Sequence, residues 1–273
     1  MEELRERVWK GSINVEVMLS DSIVLPNTSI SEKCHHLVVL RESFLALYIP
    51  AIVRKLGQNV SSIYEDCYKQ WWFECNGVPV SWEYPCGVLF DSSCNSFTAS
   101  TDKDKDAYHL QMWKLHLCHG HKYPRGIIPL VDGLSQIQDY WKHQWKQACF
   151  ILNGSAKRIM SLSIPDFEAF WLSILSRHQL DYMKIRDKMI TLDRVKCVPI
   201  RFILPDIPIL QPTVSTDTNK KSLNDVIDSL DINLQNDYKI VIQGIEVYSS
   251  ENVLDLYNLF ASIDGFLYII IKR

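Results

Sequence analysis

The amino-acid sequence predicts an α+β fold in which two β-grasp rolls flank a helix-rich middle segment. Three observations carry that expectation. Over residues 12–120 short β-like runs surround one helical stretch, and over residues 196–273 the same order recurs more compactly. Between them, residues 121–195 change from a period of two to the helical period of about 3.6. Residues 1–11 precede the first roll as a short helix, with acids in its first turn and Gly11 placed to end it.

Within the first roll, residues 13–19 alternate apolar and polar side chains as a half-buried strand does. A turn-rich gap at Pro26-Asn27-Thr28-Ser29 leads to a second run, residues 36–40. Phe44, Leu47, Tyr48, Ala51, Ile52, Lys55 and Leu56 then fit one helix face, which Pro50 should kink or interrupt. Residues 71–74 and 78–80 are short strands across the turn pair Asn76-Gly77, and residues 87–90 follow in the same series. Residues 91–106 read as an exposed polar loop, and Trp113-x-Leu115-x-Leu117 is the returning strand. A hairpin, a packed helix and a returning strand make a β-grasp roll, the fold of ubiquitin.

The middle segment is read from caps and faces. Ser135-x-x-Gln138 opens a helix with Ile137, Trp141, Trp145, Ala148 and Leu152 on one face, and Asn153-Gly154 ends it. Ser163-Ile164-Pro165-Asp166 opens the next, with Phe167, Phe170, Trp171, Ile174, Leu175, His178, Tyr182, Ile185 and Met189 in register. Seven of the eight tryptophans fall between Trp71 and Trp171, and core packing is the expected role for most of these aromatics.

In the last segment, residues 199–204 and 207–214 are two strands, with Pro205, Pro208 and Pro212 setting bends or edges. Ser222-Leu223-Asn224-Asp225 is a capping box for a short helix carrying Val226, Ile227 and Leu230. Residues 238–242 form a strand, and Gly244 allows a tight turn into residues 245–247. A helix with Val253, Leu256, Tyr257 and Phe260 then leads through Asp264-Gly265 into a last strand, residues 266–271.

Bulk properties narrow the function. With 273 residues, 47% apolar and 22% charged, the composition is that of ordinary globular domains. A net charge of −3 lacks the basic excess that neutralises phosphates, so no nucleic-acid partner is expected. No apolar run approaches the ~20 residues that span a bilayer, and the polar, acidic start is unlike a signal peptide. A cytoplasmic protein is expected, its eight scattered cysteines reduced.

Signs of catalysis are few. No Gly-rich phosphate loop, Gly-x-Ser-x-Gly, His-Glu-x-x-His or calcium-loop pattern occurs. His116, Cys118, His119 and His121 form one local cluster that could hold a soft metal, but a closed site pairs ligands from two segments. Cys75 ends a strand and Cys149 lies late in a helix, not where a thiol is activated. The expectation is a non-catalytic chain without metal or cofactor. A conjugated ubiquitin-like modifier ends in a flexible tail finishing in Gly, whereas this chain stops at Ile271-Lys272-Arg273. It is therefore expected to act as acceptor or scaffold, not as modifier.

Several separate motifs carry a resemblance. They are residues 143–157, ending in Phe150-Ile151-Leu152-Asn153-Gly154-Ser155-Ala156-Lys157, and Pro79-x-x-Trp82-x-Tyr84-Pro85-x-Gly87-Val88-Leu89-Phe90-Asp91. Met160-Ser161-Leu162-Ser163, Gln243-Gly244-Ile245-Glu246 and Asp264-Gly265-Phe266-Leu267-Tyr268-Ile269 extend it over essentially the whole chain. In these the sequence resembles the fungal autophagy protein 5 family. The resemblance implies two ubiquitin-like domains around a helix-rich domain, and an isopeptide bond from one lysine to the ubiquitin-like autophagy protein 12. It further implies activating and conjugating enzymes as partners, and a bound helix of autophagy protein 16. The resulting ligase-like complex promotes transfer of autophagy protein 8 to phosphatidylethanolamine on the preautophagosomal membrane.

The family's acceptor lysine maps onto Lys157. Composition and spacing alone do not separate it from Lys142, Lys146 or other lysines. Trp82, Tyr84, Pro85 and Gly87 on the first roll and Gln243 and Gly244 on the second are candidate groove residues for the partner helix. Trp82 and Tyr84 could equally hold a loop against the core. With no polybasic run, membrane contact is expected to be weak and peripheral.

Overall fold

The computed structural model describes residues 2–61, 66–93, 112–190, 195–205, 207–216, 221–230, 232, 234 and 238–272. Two compact units emerge: residues 11–137, and residues 138–273 together with residues 1–10.

The unit of residues 11–137 is built on β1 (Ser12–Leu19), β2 (Cys34–Leu40), β3 (Trp71–Cys75), β4 (Val78–Val80) and β5 (Met112–His119), in the order β2-β1-β5-β3-β4. Strands β1 and β2 pair antiparallel, while β1 and β5 run parallel at the centre, so the chain crosses over between them. That crossover is the β-grasp. The predicted alternation holds along β1: Ile13, Val15, Val17 and Leu19 are buried, and Asn14, Glu16 and Met18 face outward. Asn76 and Gly77 both take positive φ at the β3–β4 turn, as a two-residue hairpin loop requires.

Helix α1 (Glu2–Trp9) precedes β1 and belongs to the other unit; the helix between β2 and β3 is α2 (Ile49–Leu56), with the turn before it. Pro50 does not break α2. The helix starts one residue before it, after a 3-10 turn over Leu45–Tyr48, and a proline in the first turn lacks only a donor that would have no helical partner.

Two sequence expectations fail here. Residues 87–90 are not a strand: they lie in α3 (Cys86–Ser93), with Val88 and Leu89 N–H both bonded to the Pro85 carbonyl at 3.0 and 3.1 Å. A short run buried on all sides carries no period, so strand and helix look alike in sequence. Asp91, expected in an exposed loop, is only 2% exposed and ion-paired with Arg41. Residues 94–106 of that expected loop lie outside the described residues.

In the other unit, β7 (Ile200–Leu204), β8 (Ile207–Leu210), β10 (Lys239–Ile242), β11 (Ile245–Val247) and β12 (Leu267–Lys272) form a sheet ordered β11-β10-β12-β7-β8. Strands β7 and β12 are the parallel central pair. The strand expected over residues 207–214 is divided: β8 ends at Leu210, and β9 (Val214–Ser215) pairs instead with β6 (Cys197–Val198). Ser222 caps α8 (Leu223–Asp228) with a complete capping box, as predicted, and α9 (Val253–Phe260) is capped by Asn252.

The helices of this unit gather around two tryptophans. Helix α4 (Gly133–Asn153) buries Trp141, Trp145, Ala148 and Leu152 completely. Phe170 of α6 (Ile164–Leu175) lies 4.9 Å from the Trp141 ring and 5.4 Å from the Trp145 ring, and stacks on Tyr182 of α7 (Gln179–Met189) at 5.1 Å. Helix α4 opens at Gly133, two residues before the predicted Ser135 cap. The Gln136 side chain, not the Ser135/Gln138 pair, accepts from the Val131 and Asp132 N–H groups. The single long helix expected over residues 164–189 is two helices. Arg177 takes φ +62° between them, and His178 N–H returns to the Ser173 carbonyl at 2.8 Å. That left-handed stop normally shows as Gly or Asn, so an arginine there gives no signal.

Candidate functional site

Lys157 stands at the start of α5 (Lys157–Met160), a single helical turn. Gly154 stops α4 with φ +71°, its N–H on the Phe150 carbonyl at 2.7 Å. The turn is then pinned from below. Ile159 is buried, and the Arg158 guanidinium donates to the Met189 carbonyl at 3.2 Å. Lys157 itself is exposed, and among the described residues its ammonium enters no ion pair. Two other lysines of the same unit are more engaged: Lys142 sits 4.4 Å over the Phe167 ring and Lys188 pairs with Asp166 at 3.1 Å. Phe150 and Met160, close in sequence on either side, are each 62% exposed and offer apolar surface.

The candidate groove residues fall in both units. Trp82 is 6% exposed, and its indole N–H donates to the Ile128 carbonyl at 2.9 Å, tying down the segment before α4. Tyr84 is half-buried. Pro85 bridges to Phe44, and Gly87 N–H bonds the Arg41 carbonyl at 2.9 Å. A Cβ on Gly87 would lie 3.0 Å from Arg41 Cβ, which explains the need for glycine there. Gln243 and Gly244, both at positive φ, form the β10–β11 turn and are half-buried. The backbone geometry was legible for Gly244; that Gln243 shares it was not.

The local metal candidate does not assemble. His119 is buried with its ring 4.5 Å from that of Trp71, while His116 and Cys118 are on the opposite face of β5. His121 is exposed beside Gln70 at 3.3 Å. Burial, with the Glu74 carboxylate next, pushes the Cys118 thiol up to about 12. Cys149 is likewise raised by burial, to about 11, which keeps it a neutral thiol. Among the described residues no helix is long and apolar enough to cross a membrane.

A residue set that sequence reading missed holds the second unit together. Arg201, buried, donates to Gln144 at 2.8 Å, Gln147 at 3.2 Å and the Tyr268 hydroxyl at 3.0 Å, with its guanidinium 3.7 Å over the Phe266 ring. Tyr268 in turn donates to Asp264 at 2.6 Å.

Comparison with known sequences and structures agrees with this architecture. Residues 8–118, 134–192 and 197–271 match family models described as autophagy protein ATG5 UblA domain, alpha-helical bundle region and UblB domain. An autophagy protein 5 from Kluyveromyces lactis is 67% identical, with all of both chains covered. The one from Saccharomyces cerevisiae is 36% identical over 98% of this chain and 95% of its own. The crystal structure of Kluyveromyces marxianus Atg5 superposes with a TM-score of 0.91 at 54% identity, covering both chains fully.

Proposed function

The chain belongs to the autophagy protein 5 family, with a role in autophagy, and from that premise we propose that it is the acceptor and scaffold of a ligase-like complex. Lys157 receives the C-terminal glycine of the ubiquitin-like autophagy protein 12 as an isopeptide. Activating and conjugating enzymes deliver that glycine as a thioester, and the chain itself contributes no catalytic group. The observation that carries the reading is an exposed lysine on a turn rigidly held by Ile159 and Arg158. Among the described residues its amine enters no ion pair, and it becomes nucleophilic on giving up a proton to the conjugating enzyme. Phe150 and Met160 supply apolar surface on which the modifier can rest.

The remaining roles follow from the same premise. A helix of autophagy protein 16 is the second partner, with half-buried Tyr84 and buried Trp82, Pro85 and Gly87 as candidate residues on the first roll and Gln243 and Gly244 on the second. Working domain limits are 12–120, 121–195 and 196–273. The assembled complex promotes joining of autophagy protein 8 to phosphatidylethanolamine while peripheral on the preautophagosomal membrane, and is otherwise cytoplasmic. A denaturing gel of the protein from its native cells tests this. A slower-migrating covalent form that Lys157→Arg abolishes, and Lys142→Arg and Lys146→Arg do not, is the expected result. A single unshifted band while autophagy is induced overturns it in favour of an adaptor that is never conjugated.

A further inference from the structure

The outer face of the first sheet carries a set of side chains that the proposed function does not use. Cys34 and His36 lie two apart on β2, so both point to the same side, and Glu16 is the direct cross-strand partner of His36 on β1. The Cys34 sulfur, a His36 ring nitrogen and a Glu16 carboxylate oxygen all lie within 4.8 Å of one another. His36 Nε2 is 3.2 Å from Glu16 Oε2. These three are half-buried or exposed at the rim, so a small ion can reach them from solvent.

We propose that Glu16, Cys34 and His36 form a zinc-class divalent metal site that clasps edge strand β2 to β1. The donor set fits that ion: thiolate, imidazole and carboxylate are its three usual protein ligands, and water completes a tetrahedron. Bonds of about 2.0–2.3 Å place tetrahedral ligands about 3.3–3.8 Å apart. One pair is therefore near bonding separation, and the widest has to close by about an ångström or less, within reach of side-chain rotation. Ligands come from two strands, which the His116–His121 cluster could not offer. The His36–Glu16 contact by itself is an ordinary cross-strand hydrogen bond; the sulfur beside it is what a cation would explain. One charge opposes it: Lys114 Nζ lies 4.0 Å from Glu16 Oε1, but that side chain is 73% exposed and free to swing out.

Cobalt(II) titrated into the chelator-treated full chain tests the proposal, with zinc(II) as competitor. The expected result is one cobalt per chain with a thiolate-to-cobalt charge-transfer band, displaced by zinc. Cys34→Ser abolishes the band, and His36→Gln and Glu16→Gln each weaken binding about tenfold or more. Lys114→Gln tightens it. Melting curves in chelator serve as the folding control, since all these positions border solvent. Absence of the band in excess cobalt, or its persistence in Cys34→Ser, overturns the site.

Discussion

Trp145 donates its indole N–H to the main-chain carbonyl of Ile263 at 2.7 Å, and Trp141, one helical turn earlier, donates to that same oxygen at 2.7 Å. Two large side chains of α4 thus converge on a single acceptor in the turn before β12. The helical segment and the second roll are joined at this point by buried hydrogen bonds as well as by apolar packing.

Trp141→Phe and Trp145→Phe each keep an aromatic ring but lose a donor and some volume. Each is expected to lower stability by about 1–3 kcal/mol. The double variant removes both donors and should lose about 1 kcal/mol beyond the sum. Urea unfolding of the four proteins measures the cycle, and strict additivity would show that the shared acceptor does not couple the two residues.

Gly265 occupies φ +86° with no room above it: a Cβ would meet Ala148 Cβ at 2.8 Å and Trp145 Cε3 at 3.0 Å. Gly265→Ala should therefore cost about 2–4 kcal/mol, combining left-handed backbone strain with overpacking. Gly77, at φ +76° with nothing within 4 Å, isolates the first effect. Gly77→Ala should cost about 1–2 kcal/mol. Thermal melts of the two variants read the difference directly.

Asp91 is nearly buried against Arg41, which also cradles Gly87. Asp91→Ala strands a guanidinium that is itself 12% exposed and is expected to cost about 3–5 kcal/mol. Replacing both partners together, Arg41→Met with Asp91→Leu, should recover most of that loss. Failure of the double variant to recover would mean that Arg41 acts mainly through its packing on α3.

Burial, with His121 next, lowers the pKa of His119 below its ordinary 6.5. Below that pH the unfolded chain takes up a proton that the folded chain refuses, so stability falls as pH drops through this window. His35 is depressed in the same sense, by burial and then Lys55, and adds to the slope. His119→Phe keeps a ring on Trp71 and should flatten the dependence below about pH 6.5. Denaturant midpoints across that range, compared with wild type, measure its share.

Much of the fold was readable because its signals are local. Alternation along β1, the Asn76-Gly77 turn, the Ser163 and Ser222 caps and the tryptophan face of α4 each involve residues a few positions apart. The misread elements share a cause. Residues 87–90 are buried throughout and lack a period, and the break after α6 is made by Arg177, whose type gives no warning. The candidate site was legible only through its motif: Lys157 was singled out by the residues before it, and nothing in its own chemistry distinguishes it from other lysines.

By itself, then, the sequence determined the order and kind of most elements, two rolls around helices, because period and capping act over one or two turns of chain. Tertiary structure alone decided which distant side chains meet. Arg201 finds Gln144 and Tyr268, Asp91 finds Arg41, and Glu16 finds Cys34 and His36. Strand register and helix docking set these meetings, and pairing across β1 and β2 follows from the whole sheet, not from residues adjacent in the chain. The pinned turn that presents Lys157 belongs to the same class, since its supports, Ile159 and the Met189 carbonyl, become neighbours only when the helices pack.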